Sequence, residues 1–417
     1  MKIAFVTVRV PYPENSGGRI RTFQLLRHIS QAHQVTLVTA LEGPAETHAA
    51  RVLQERIPRL AIRAVDVPPR DALPRRAWRA LSSVLDPLPY TWAAYRHRRF
   101  TANLRQVLAE EPYDVLHCDH VQVAHAVLAV PRTSPRLLNA HNVDSLLIRR
   151  LAEIEERPWR RSLIRWQAGK ILRAERRMYP AFDACLAMSD ADRSHIEQRM
   201  PGLPVWTVPN GVDVEHFSPV ATPVDPRLLV FSGAMDWLPN VDSVRWFARE
   251  VLPLIRRRIP QVRLLVVGRE PARALIDELS GLPIEFTGTV EDVRPYLARA
   301  GLFVVPLRVG SGTRLKILEA WAMAKPVLST AIGAEGLPAR DGENIRLADT
   351  PDALASRAIM LLQSPLEAER LGAAGRRVVE EAFSWKRVGN RLLQAYGATI
   401  SRRASATATV GTQAATP

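Results

Sequence analysis

Short apolar runs alternate with helix-length amphipathic stretches along most of the chain. The first run, Ile3 to Val8, leads through a glycine-containing loop to apolar residues at helical spacing from Arg19 to Ser30, then to a second run at Val35 to Thr39. Alternation of this kind predicts a βαβ unit and therefore a parallel sheet. Further strands are expected at Leu60 to Val65, Asp114 to His117, Leu137 to Ala140, Ala184 to Met188 and Val205 to Val208. A proline-rich stretch from Pro209 to Pro226 breaks the pattern. It then restarts, with strands expected at Leu228 to Phe231, Val262 to Val267, Ile284 to Phe286, Leu302 to Val305 and Pro326 to Ser329. The expected fold class is α/β, two Rossmann-like, doubly wound parallel-sheet domains: residues 1–208 and 227–382, joined by a linker at 209–226. A last helical pattern covers 383–400. Residues 401–417 are small and polar, with too few large apolar side chains to offset ordering entropy, and are expected to be disordered.

Composition narrows the class. The 417 residues, 47% apolar and 24% charged, suit a globular protein of two cores. No apolar run approaches the roughly 20 residues of a membrane span. Arg9 and Pro11 interrupt the N-terminal run, which reads as a first strand and not a signal peptide. The two cysteines, Cys118 and Cys185, lie in apolar strand-like runs, which points to a reducing cytoplasm. A net charge of +15 favours polyanionic partners. Charge alone argues for nucleic acid, and none is expected.

The segment VPLRVGSGTRLKILEAWAMAKPVLST passes from a buried strand through a glycine turn into an amphipathic helix beginning near Thr313. Gly310 and Gly312, flanking Ser311, let backbone amides approach a phosphate, and the helix end adds its dipole. Arg314 and Lys316 add positive charge. Glu319, within the helix, is a carboxylate able to accept hydrogen bonds from vicinal hydroxyls such as those of a ribose. His117, Cys118, Asp119 and His120 are all potential metal ligands, but neighbours in a strand point to opposite faces and no second cluster at ligand spacing completes a site; no metal is expected. The G-x-G-x-x-G of a nicotinamide-dependent oxidoreductase is absent after the first strand.

This glycine segment resembles the donor-binding signature of the family 4 retaining glycosyltransferases, bacterial enzymes of the GT-B fold. PYPENSGGRIRTFQLLRHISQAHQVTLVTA is similar to that family's first glycine-rich loop and helix, and VPNGVDVEHFSP to its interdomain signature. FTGTVEDVRPYLARAGLFVVPL and GLPARDGENIRLADTPDALA follow in the family's order, and FSGAMDWLPNVDSVRWF resembles a branch associated with exopolysaccharide and lipid-linked glycan assembly. The resemblance implies metal-independent transfer of a hexose from a nucleotide sugar, UDP- or GDP-linked, with retention of configuration and no cofactor. It implies that Glu319 holds the donor ribose, that Gly17 and Gly18 lie near donor phosphate and acceptor, and that His141 faces the transferred sugar. It also implies a donor-binding second domain, an acceptor-binding first domain and a last helix returning to the first. The sequence departs from the family at Ser311, where a glutamate is usual, and at Gly233 to Trp237, where an Arg and Lys pair is missing. Arg314 and Lys316 are the candidates to replace that charge on the diphosphate, and with His141 they form the expected catalytic set; Gly17, Gly18, Gly310, Ser311, Gly312, Thr313 and Glu319 form the donor set.

The acceptor expected from this resemblance is a glycan or lipid-linked intermediate. Residues 74–105 carry seven arginines against the single acid Asp86, interleaved with Trp78, Tyr90, Trp92, Tyr95 and Phe100. Such a surface suits an anionic bilayer and a cytoplasmic protein peripheral to the inner membrane face. The competing class is a catalytically weak scaffold or binding protein of a glycan assembly system, which the Ser311 departure keeps open.

Overall fold

The computed structural model describes every residue except 71–77, 80, 81, 84, 311 and 414–417, and the backbone alone at 406–413. Two compact units emerge: Met1–Pro209 together with the chain from Lys386, and Asn210–Trp385. The first contains a seven-stranded sheet of order β3-β2-β1-β4-β5-β6-β7. Its strands are Lys2–Thr7, Gln34–Leu41, Leu60–Asp66, Val115–Asp119, Arg136–Ala140, Ala184–Ala187 and Val205–Thr207. The second contains a six-stranded sheet of order β10-β9-β8-β11-β12-β13. Its strands, β8 to β13, are Asp225–Ser232, Arg263–Val267, Ile284–Phe286, Ala300–Val305, Val327–Ser329 and Arg346–Leu347. Every pairing within both sheets is parallel.

Burial follows from this arrangement. Parallel strands are joined by crossover helices that cover both faces, so central strands are buried on both sides. β4, β5 and β6 are buried at every position. β13 has only two residues, too few for the apolar run that marked the other strands. β8 begins at Asp225, inside the expected linker, because its first residues are extended but largely exposed.

In the second unit the helix Leu315–Ala322 follows β11 and is fixed by Trp321, which is fully buried against the helix Pro365–Ala382. Gly375 makes room for that indole, since a Cβ there would lie 2.6 Å from Trp321 Cγ. The helix starts two residues later than the sequence suggested.

The final helix, Trp385–Gln413, belongs to the first unit from Lys386 onward. It continues well past Ile400, where disorder was expected. Its contacts are specific: Asn390 Oδ1 lies 3.2 Å from His28 Nε2, and Arg403 pairs with Asp183 at 3.2 Å. Tyr396, fully buried, places its hydroxyl 2.8 Å from His117 Nδ1 and its ring edge-on to the same imidazole, which stacks on Phe5 of β1. Among the described residues no helix is long and apolar enough to cross a membrane.

Tyr396→Phe, which removes one buried hydrogen bond, should cost the first unit about 1 kcal/mol, whereas Tyr396→Ala should cost about 3–5 kcal/mol through the cavity it leaves. Denaturant titration followed by circular dichroism checks both; equal losses would mean that packing alone anchors the helix.

Candidate functional site

In each sheet the strand order reverses once, between β1 and β4 in the first and between β8 and β11 in the second. Loops leaving the carboxyl ends of such a strand pair diverge to opposite faces and open a crevice. The chemistry-bearing side chains gather at these two points.

The first cluster is built by strand register. Thr7 of β1 pairs with Asp119 of β4, and Asp119 with Asn139 of β5, so three polar residues stand abreast at the strand ends. Asp119 is fully buried and accepts from Thr22 Oγ1 at 2.6 Å, Asn139 Nδ2 at 2.7 Å and His141 Nε2 at 2.8 Å. Burial works to raise its carboxyl, but His141, His120 and the hydrogen bonds from His117 and His120 overcome it and hold the group well below the usual carboxylate range. Burial, with His120 next, pushes His141 down to about 3. A neutral imidazole that donates Nε2–H to an ionised carboxylate must present Nδ1 as an acceptor. That atom would lie 3.8 Å from a Cβ on Gly18. His120 stacks on His141 with ring centroids 3.7 Å apart.

Gly17 and Gly18 open the helix Gly17–Ile29, and Gly18 approaches both imidazoles closely. Gly18, Thr22 and His120 border a pocket of about 170 Å³ that also reaches Thr7, Arg9 and Tyr95. Arg21, on the buried side of the helix, donates to the carbonyls of Val208 and Pro209 at 2.8 and 2.6 Å and to Asn139 Oδ1 at 3.3 Å. Burial lowers it to about 10 against the pull of Asp119. Asp144 does not cap the following helix: it is the first helical residue, and its carboxylate accepts from Trp92 Nε1 and Gln122 Nε2 at 2.9 and 3.2 Å.

Asp119, His120 and His141 bring potential metal-ligating atoms within 4.8 Å of one another. Parallel stacked imidazoles direct their in-plane lone pairs side by side instead of toward one point, and the carboxylate oxygens already receive three short hydrogen bonds. The cluster is suited to orienting a histidine, with Asp119 as the positioning residue.

The second cluster lies at the β8/β11 reversal. Lys316 Nζ donates to Asn240 Oδ1 at 2.9 Å and sits 3.9 Å above the Phe231 ring. Asn240 Nδ2 in turn donates to Ala234 O at 2.9 Å. A Cβ on Gly233, whose φ is 154°, would lie 2.8 Å from Lys316 Nζ. The chain therefore keeps glycine where backbone and ammonium converge. Burial, with Arg314 second, pushes Lys316 down to about 7, and burial pushes Glu319 up to about 7 against the pull of Lys316. Both side chains nevertheless retain partial solvent exposure. Groups surrounded by protein yet open to water sit in a recess, where a bound anion meets little competition from solvent.

Arg314 occupies a different place. It is buried, donates to Gly312 O at 2.9 Å and Ile332 O at 3.3 Å, and lies so close to Gly310 that a Cβ there would collide with its guanidinium. It shapes the glycine turn. Gly312, with φ 75°, and buried Thr313 complete that turn, and Thr313 O accepts from Asn210 Nδ2 at 3.2 Å. Ser311 lies outside the described residues. The structure thus brings Lys316, Glu319 and the turn together in one unit and His141 with Gly17 and Gly18 in the other. Asp119, Arg21 and Asn240 are additions. Asn240 stood inside the MDWLPN segment, and Asp119 inside a cluster read only for metal ligation.

Two family models match successive parts of the chain: Glycosyltransferase Family 4 over residues 15–216 and Glycosyl transferases group 1 over 226–364. The MMP alpha-(1->4)-mannosyltransferase of Mycolicibacterium hassiacum is 29% identical over 427 residues, covering 97% of this chain and all of that protein. The phosphatidyl-myo-inositol mannosyltransferase of Mycobacterium tuberculosis is 29% identical over 51% of this chain and 58% of its own length. Sucrose-phosphate synthase from Thermosynechococcus elongatus superposes with a TM-score of 0.72 at 19% identity, over 96% of this chain and 100% of that one. Anabaena HepE in complex with UDP and glucose does so at 0.66 and 13% identity, over 95% of this chain and 100% of that one. The chain has the GT-B fold, and the two matched models together with these relatives support a family 4 glycosyltransferase.

Because His141 is held near 3 when folded and near 6.5 when unfolded, the unfolded state takes up a proton that the folded state refuses between those values. Its contribution is complete above pH 6.5 and falls by about 1.4 kcal/mol per pH unit below it. His141→Asn should therefore flatten the decline in first-unit stability between about pH 6 and 4. Unchanged slopes in denaturant titrations would mean that this imidazole is not buried neutral.

Proposed function

We propose that this protein transfers a hexose, most simply mannose, from a nucleoside-diphosphate sugar to an acceptor with retention of anomeric configuration. The observation that carries this reading is Lys316, an ammonium held by an amide oxygen and an aromatic face at the β8/β11 reversal, so that its charge is available to a diphosphate. The leaving diphosphate gains charge in the transition state, and a preorganised ammonium stabilises that gain without reorganisation. Glu319, one turn further along the same helix, accepts the ribose hydroxyls, while Gly310, Gly312 and Thr313 bring backbone amides toward phosphate. Arg314 acts through the shape of that turn.

His141 supplies an acceptor atom for a hydroxyl of the transferred sugar, with its tautomer set by Asp119. The first unit takes the acceptor. A mannosyl donor is favoured by the named mannosyltransferase relatives, its GDP linkage over the UDP-linked alternative by a further relative from Corynebacterium glutamicum whose name gives GDP-mannose as its donor, and a lipid-linked or polysaccharide acceptor by the basic character of the chain. On this reading the work is done at the cytoplasmic face of a membrane, in exopolysaccharide or glycolipid assembly, without a metal or cofactor.

Thermal-shift titration with GDP-mannose, UDP-glucose and related donors should show stabilisation by one nucleotide, weakened roughly tenfold or more in affinity by Glu319→Ala. Affinity should peak near pH 7, because binding needs Lys316 protonated and Glu319 ionised, and both sit at about 7. Glu319→Gln should keep only the alkaline decline. Proton NMR of the product should show the donor's anomeric configuration; stabilisation by no nucleotide, with no transfer, would favour the scaffold reading.

A further inference from the structure

The sequence placed a membrane-facing surface at residues 74–105, but the structure redistributes those residues. Trp92 and Phe100 are buried in the first core, and positions 74–77, 80, 81 and 84 lie outside the described residues. A different element stands out: the helix Pro158–Met178. Its C-terminal half is anchored, with Ala168, Ile171, Ala174 and Met178 buried. Its N-terminal half is largely exposed, and it carries Trp159, Leu163 and Trp166 at 63%, 51% and 36% exposure. Spacings of four and three residues put these three on one face.

Leu85 extends the same surface. Lys170 donates to Ser83 O, and Asp86 and Pro87 share a hollow with Trp166, Lys170 and Arg173, so the segment carrying Leu85 runs beside this face. Leu85 itself is 90% exposed. Four large apolar side chains turned to water around one helix end need an occupant.

The surrounding charge selects it. From Arg157 to Ala174 the chain has five arginines and Lys170 and no acidic residue. The neighbouring Asp86 is taken by Arg96 in paired contacts of 2.6 and 3.0 Å. Glu155, just before the helix, accepts from the Arg157 backbone amide at 3.0 Å. Arg160 lies over the Trp159 ring at 5.1 Å and Lys170 over Trp166 at 5.5 Å, so cations flank the indoles. Indoles and a leucine on one face, ringed by guanidinium groups, fit the boundary of an anionic bilayer, with rings at headgroup depth and cations on lipid phosphates.

We infer that the exposed half of helix Pro158–Met178, with Leu85, docks this protein on an anionic phospholipid bilayer through Trp159, Leu163 and Trp166. The inference deepens the membrane-associated acceptor reading but does not require sugar transfer. The docking helix packs on the helix Asp144–Ile154, which begins three residues after His141, so membrane surface and acceptor residues belong to one unit.

The test is co-sedimentation of the full chain, without donor, with vesicles of phosphatidylcholine alone or with 30% phosphatidylglycerol. Binding should require the anionic lipid and fall at least tenfold in the Trp159→Ser, Leu163→Ser, Trp166→Ser triple variant. Arg160→Gln with Arg165→Gln should weaken it by roughly fivefold per charge, and added salt should do the same. Because these side chains are exposed, the variants should melt like the parent protein. Trp159→Phe with Trp166→Phe should keep binding but lose most quenching by brominated lipid, which reads insertion directly. Equal binding to both vesicles, an unaffected triple variant, or a parent protein that is dimeric until the triple substitution is made would each overturn the assignment; the last would give the surface to a second copy of the chain.

Discussion

Parallel pairing governs this molecule. Strands that all run one way must be connected by crossovers, and a doubly wound sheet places those crossovers on opposite faces on either side of its first strand. A crevice at the carboxyl ends is therefore a geometric by-product of each sheet. The chain makes two such sheets, and both crevices collect polar side chains that an apolar core would otherwise exclude. Thr7, Asp119 and Asn139 are neighbours because β1, β4 and β5 are in register. Gly233 and Lys316 converge because β8 and β11 are adjacent while the loops that follow them diverge.

The crevices treat buried charge in opposite ways. Asp119 is enclosed by short hydrogen bonds, which make its ionised form the stable one despite burial. A satisfied carboxylate of this kind is rigid, and its rigidity passes to His141. Lys316 and Glu319 are left partly compensated, each moved by burial to about 7. A pair held near its midpoint of ionisation gains most from a ligand that brings its own phosphates and hydroxyls. Order marks the first unit and incomplete solvation the second: the buried carboxylate of one is fully satisfied, and the ammonium and carboxylate of the other are not.

The fold was legible because its signal is coarse. Alternating apolar runs and amphipathic stretches located twelve of the thirteen strands, and the two-residue β13 lacked enough residues to show a pattern. The glycine turn and the helix that carries Glu319 were legible because a strand, a glycine pair and an amphipathic run follow one another in a short segment. Arg314 and Lys316 illustrate the limit. Two residues apart and both cationic, they look equivalent in sequence, yet one guanidinium is tied to Gly312 and Ile332 while the ammonium faces a recess. The role of Asp119 was not legible, because its partners Thr22, Asn139 and His141 come from other segments. In sequence, Glu153, Glu155, Glu156 and Glu175 stand among the arginines at the helix Pro158–Met178, and only exposure separates its Trp159 and Trp166 from core residues such as Trp92.

The central claim is that Lys316 meets the donor diphosphate. Calorimetric titration of wild-type protein and Lys316→Met with a nucleoside diphosphate, and separately with its nucleoside, tests it most directly. The account predicts a loss of roughly tenfold or more for the diphosphate and little change for the nucleoside, since a charge-assisted hydrogen bond is removed from phosphate alone. An equal loss for both ligands, or none for the diphosphate, would place the phosphates elsewhere and contradict it.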